Sequence, residues 1–144
     1  NDQFHLKLVL RELKKRYKSY NPNFSDNMAI DSRHLSKITF ESAGKPVYIS
    51  ISTASDKATK KSMGLLTMFH LTNGKLETIF EKHEDITDGW GDGYEFIDAV
   101  DIDHDNNPEL FFQVDGYEWS GVVVYKYQNG KFKVVLETNS LYGC

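Results

Sequence analysis

Asn73-Gly74 and Asn129-Gly130 each separate two runs of alternating apolar residues, and the nine residues that begin with each, NGKLETIFE and NGKFKVVLE, are alike. Both central positions of a two-residue hairpin turn need positive φ, which Gly adopts freely and Asn tolerates, so each pair marks a hairpin. Two such turns in similar surroundings point to antiparallel β structure built twice.

Sliding the chain along itself extends the likeness. At an offset of 62, Ile38, Phe40, Pro46, Tyr48 and Ser50 fall on Val100, Ile102, Pro108, Leu110 and Phe112. After Gly64 and Gly121 the offset drops to 57 and then 56, so the first unit carries about five extra residues within 53-TASDKATKKSM-63, which reads as an exposed basic loop. Each unit holds four alternating runs: 37–41, 46–52, 64–71 and 75–81 in the first, 95–100, 109–114, 121–127 and 131–137 in the second. Ahead of them, Leu6, Val9, Leu10, Leu13, Tyr17 and Tyr20 follow a period of about 3.6 residues, which predicts an amphipathic helix over 1–20. Asp2 near its start and the basic residues toward its end suit the helix dipole. Helix packing on a sheet explains this pattern better than a membrane surface or nucleic acid does.

The expected fold is therefore mainly β (α+β) in a single domain, 1–144. It has an N-terminal amphipathic helix, a first β repeat at 35–82 and a second at 93–138, each a four-stranded antiparallel unit. Two units are too few to close a propeller, which needs about four blades or more, so they should form a sandwich-like pair or one curved sheet. At 144 residues such a domain can bury a core without disulfides, and the single cysteine, Cys144, excludes an internal disulfide framework or a cysteine-based metal site. The longest apolar runs, such as 121-GVVVY-125, fall far short of a membrane span.

Charge is unevenly spread. Residues 1–20 carry six Lys and Arg against two acids, whereas the interval from His83 to Tyr125 holds twelve acids and neither Lys nor Arg. That block repels nucleic acid and attracts cations. Its densest part is 101-DIDHDNNPEL-110, where Asp101, Asp103, Asp105 and Glu109 occupy positions 1, 3, 5 and 9, and Asn107 at position 7 can offer its backbone carbonyl. Alternate residues of a curled loop can turn their oxygens toward one hard cation, and calcium takes about six to eight of them. An EF-hand would place Gly at position 6 and Glu at position 12, where this chain has Asn106 and Phe112. The alternative is a solvated acidic turn, which four carboxylates with no basic neighbour in sequence disfavour through mutual repulsion.

The stretch 98-DAVDIDHDNNPELFFQV-114 resembles the calcium loop of FG-GAP and VCBS-type repeats, in which an acidic loop joins two strands of a propeller-blade-like sheet. The resemblance implies calcium as cofactor, with Asp101, Asp103, Asp105 and Glu109 as side-chain ligands. His104 and Asn106 stand where the family commonly has glycine, and Glu109 where aspartate is more usual. The first unit has Thr39, Glu41, Ala43 and Val47 at the four ligand positions and cannot bind calcium in this way. Such repeats are mostly extracytoplasmic and bacterial, which implies a secreted, periplasmic or surface-attached protein.

Two glycine-rich segments, 88-DGWGDGYE-95 and 115-DGYEWSG-121, add Trp90, Tyr94, Tyr117 and Trp119. Either these aromatics close the core at strand ends, or they form a ligand-binding surface that stacks on sugar rings or grips a peptide. The chain shows no nucleophile elbow, zinc-protease motif, phosphate loop or dinucleotide fingerprint. His5, His34, His70, His83 and His104 are scattered without ligand spacing. These features lead to a non-catalytic, calcium-stabilised module recognising a glycan or protein partner, with no nucleic acid and no membrane span. A small carbohydrate-active or other hydrolytic enzyme using the acidic cleft, or an inhibitor-like protein, are the alternatives.

Overall fold

The computed structural model describes residues 2–86, 93–116 and 118–141. Helix α1 (Asp2–Tyr20) precedes strands β1 (Ala29–Thr39), β2 (Pro46–Asp56), β3 (Lys61–Thr72) and β4 (Lys75–Ile86), then β5 (Gly93–Val100), β6 (Glu109–Gly116), β7 (Trp119–Gln128) and β8 (Lys131–Leu141). The strands form two antiparallel meanders, β1-β2-β3-β4 and β5-β6-β7-β8, neither closed into a barrel. Both Asn-Gly pairs turn as expected, with positive φ at Asn73, Gly74, Asn129 and Gly130.

The molecule is a stack of three layers, α1 on the first sheet and the first sheet on the second. Val9, Leu13 and Tyr17, spaced one turn apart, are fully buried against Tyr48, Ala54, Met63, Leu65 and Phe69. Alternation along the strands turns Val47, Ile49, Ile51, Leu66 and Met68 the other way, where they pack on Leu110, Phe112, Val114, Val123 and Tyr125 of the second sheet. β2 is thus buried on both faces, as a strand in a middle layer must be. Glu81 of β4 fastens the helix: Arg16 Nη2 donates to Oε1 at 2.7 Å and Nε to Oε2 at 2.9 Å, while the Tyr20 hydroxyl donates to Oε1 at 2.6 Å.

The two sheets share their register. Ile38 pairs with Val47 as Val100 pairs with Glu109, and Tyr48 pairs with Phe69 as Leu110 pairs with Tyr125. Even the bulge in the last strand falls at one position, Ile79 in β4 and Val135 in β8. The pairing holds the offset at 56 through both of the later strands, so Gly64 corresponds to Ser120, not Gly121, and the first unit has six extra residues. Nor is 53–63 an exposed loop. Its residues lengthen β2 and β3, leaving a turn at 57–60, and Ala54, Asp56 and Met63 are buried. The Asp56 carboxylate accepts from the Ser25 amide and hydroxyl and the Thr59 hydroxyl, which ties the α1–β1 connection to this hairpin. β1 also begins well before 35, with a bulge at Arg33.

Candidate metal centre

The acidic loop joins β5 to β6, and the cross-strand pair Val100–Glu109 closes its neck. His104 and Asn106, at positions 4 and 6, have φ of 58° and 66°. These are the left-handed turns that curl the loop, here taken up by non-glycine residues at some steric cost. The first unit keeps one of them: Gly44, the counterpart of Asn106, has φ 68°.

Curling sets the carboxylates. Asp101 Oδ1 and Oδ2 accept the amides of Asp105 (3.1 Å) and Asn106 (2.9 Å), Asp105 Oδ1 accepts that of Asn107 (3.0 Å), and Glu109 Oε2 accepts that of Ile102 (2.7 Å). Glu109 and Asn107 are buried, at 4% and 8% exposure, while Asp103 and Asp105 face solvent. One carboxylate oxygen from each of Asp101, Asp103, Asp105 and Glu109 lies within 4.8 Å of all the others. Oxygens sharing one cation at about 2.3–2.6 Å can lie no farther than about 5.2 Å apart. The four acids could therefore hold one metal ion, and the cluster is compatible with a calcium loop.

The expectation that no basic residue lies near is corrected by Lys126. Register places it beside Glu109, one step beyond the Leu110–Tyr125 pair. Its Nζ contacts Asp103 Oδ2 directly and lies 3.4 Å from Asp105 and 3.9 Å from Glu109. The hydrogen bond from Lys126 holds the Asp103 carboxyl down at about 2, and the same bond raises Lys126 itself. Four carboxylates facing one ammonium leave a local excess of negative charge, so the ammonium relieves part of the repulsion and attraction for a further cation persists. The acidic block of the sequence ends at Tyr125, one residue short of this partner. Projecting the hairpin register from Asn129-Gly130 would have found it.

Of the four aromatics singled out, Trp90 and Tyr117 lie outside the described residues. Tyr94 and Trp119 are brought together. Both are half-buried, pack on the core between the sheets, and line one small cavity with Lys82, Val114 and Glu137. The Lys82 ammonium lies 5.9 Å from the Tyr94 ring centre. Trp119 folds back over Gly116, where any Cβ would collide with the indole, so glycine is required there. No described helix is both long and apolar enough to cross a membrane. Comparison with protein-family models, with curated proteins and with solved structures finds no match to this chain.

Proposed function

We propose that this protein is a non-catalytic, extracytoplasmic binding module of the FG-GAP and VCBS kind, stabilised by calcium in its second unit. Asp101, Asp103, Asp105 and Glu109 supply carboxylate oxygens and Asn107 its carbonyl. A glycan or protein partner is recognised through Tyr94 and Trp119, with Trp90 and Tyr117 as the further aromatics of the two glycine-rich segments in the sequence. The observation that carries this reading is the convergence of four carboxylates in a loop curled at positions 4 and 6. All donors are hard oxygens, and a spread of up to 4.8 Å suits calcium better than magnesium, whose bonds of about 2.0–2.1 Å demand a tighter shell.

Lys126 gives the reading a distinctive test, because calcium and the ammonium compete for the same oxygens. Unfolding by denaturant is compared in calcium and in chelator. Free calcium at about 100 times the dissociation constant adds about 2.7 kcal/mol to the native protein, and magnesium adds much less. Asp103→Asn shrinks the calcium effect. Lys126→Met lowers stability in chelator and enlarges the calcium effect, since the competitor is gone. Identical curves in calcium and chelator for both the native protein and Lys126→Met would leave the loop an acidic turn and remove the basis of the proposal.

A further inference from the structure

We propose that the outer side of α1, continued by the β2–β3 turn, is a docking face that lays this protein on a membrane surface rich in anionic phospholipid. Val9, Leu13 and Tyr17 commit the apolar side of α1 to the first sheet, so insertion into lipid is not available and the attraction must come from charge. The other side of the helix supplies it. Lys7, Arg11, Lys14, Lys15 and Lys18 are spaced so that, at about 100° per residue, all five fall within about 100° of arc over about 17 Å of helix. Glu12 lies outside that arc. Lys7, Arg11 and Lys15 are exposed, and Lys14 and Lys18 are half-buried. Lys18 pairs with Asp26, whereas the other four have no ion-pair partner among the described residues.

The basic face does not end with the helix. Lys61 pairs with Asp56, two residues beyond the Ala54–Met63 pair that packs under α1, so it stands on the helix side of the first sheet. Lys60 and Lys61 line a groove of about 570 Å³ with Tyr20 and Asn21 at the end of α1, where Asp85 is the one acid, and Lys57 lies in the same turn. The bonds from Ser25 to Asp56 hold this turn against the α1–β1 connection. At the other end of the stack, the described residues of the second sheet and its loops carry nine acids against three lysines. Layers packed about 10 Å apart put those acids about 20 Å behind the helix, beyond two Debye lengths of about 8 Å at physiological salt. A chain of net charge −4 thus offers a positive layer to whatever lies in front of α1, and the acidic loop faces away from it.

Lipid suits this face better than nucleic acid does. Seven of its eight cations are lysines, whose ammonium is an undirected point charge, whereas nucleic-acid recognition favours the planar fork of arginine. The charges also spread along the helix and onto the hairpin in one layer, so a bilayer meets them together. Each Lys or Arg held near an anionic leaflet strengthens binding about fivefold.

Sedimentation with vesicles of phosphatidylcholine containing about 30% phosphatidylglycerol tests this, run in chelator so that the result does not depend on calcium. The native chain pellets with these vesicles at about 0.1 M salt, stays in solution with pure phosphatidylcholine, and is released at about 1 M salt. Arg11→Gln with Lys15→Gln, both at exposed positions, weakens binding about 25-fold while keeping the native circular dichroism. Lys131→Gln with Lys133→Gln makes the same change of net charge on β8 of the second sheet and alters binding less than about twofold. A native chain that ignores the anionic vesicles, or equal losses from the two double variants, overturns the proposal. Tighter binding to duplex DNA than to the anionic vesicles overturns it in favour of nucleic acid.

Discussion

The two sheets have the same strand order, the same register through their last three strands and the same bulge in the last strand, yet they sit in different company. The first is covered on both faces and the second on one. Counterpart positions show how side chains alone make that difference. Toward the helix the first sheet offers Ser50, Ser52 and Thr67, small enough for α1 to approach, and the Tyr17 hydroxyl shares a 2.7 Å hydrogen bond with Ser52. At the same positions the second sheet has Phe112, Val114 and Val123, which fill the wider space between two sheets. At the loop, Val47 faces the core while Glu109 faces Lys126 and the acids. Turns and bulges set the backbone register, and the residues on each face then select a helix, a sheet or an ion as neighbour.

Exchanging counterparts tests that lesson most severely at the loop. Val47→Glu places an unpaired carboxylate between the sheets and should cost about 4 kcal/mol or more, enough to abolish folding of a marginal domain. Glu109→Val, the reverse change, should cost only about 1–2 kcal/mol through the lost bonds to Ile102 and Lys126, and it should erase the response to calcium. Comparable losses for the two variants in equilibrium denaturation would mean that the sheets are less different than their burial indicates.

Next in size is the pair Phe40 and Ile102. Phe40 is fully buried and Ile102 is 58% exposed. Alanine should cost about 3–5 kcal/mol at the first and less than about 0.5 kcal/mol at the second in equilibrium denaturation. A large loss at Ile102 would place it inside the core.

The smallest effect is expected at Thr67. Its hydroxyl and that of Ser50, opposite it across β2 and β3, are buried with no hydrogen-bond partner among the described residues. Thr67→Val, which installs the residue found at position 123, should raise stability by about 1 kcal/mol by removing an unmet polar group at almost constant volume. A loss of similar size would reveal a bound water bridging the two hydroxyls.

Much of this architecture was legible. The Asn-Gly turns and strict alternation specify eight strands in two hairpin pairs, and the spacing of Val9, Leu13 and Tyr17 specifies the helix face, because local geometry enforces those patterns. The first half of β1 was not legible, since AIDSRHLSK is a polar edge strand whose pairing comes from β2 and not from its own composition. The extra residues of the first hairpin look like a basic loop, yet they form strand because Ala54 and Met63 find cover on the helix side. The acidic cluster was legible because consecutive ligands lie close in sequence. Lys126 was hidden because its proximity is a property of strand register, seventeen residues beyond Glu109.

The grip of Arg16 and Tyr20 on Glu81 has a consequence for the order in which the chain takes shape. These partners stand 65 and 61 residues apart, whereas each hairpin closes over a few. At synthesis rates of about 5–20 residues per second, α1 is made about 3–13 s before Glu81 exists to receive it. An isolated helix of this length is marginal in water, so α1 is secured only once β4 has been made, and over that interval its apolar face is open to chaperones.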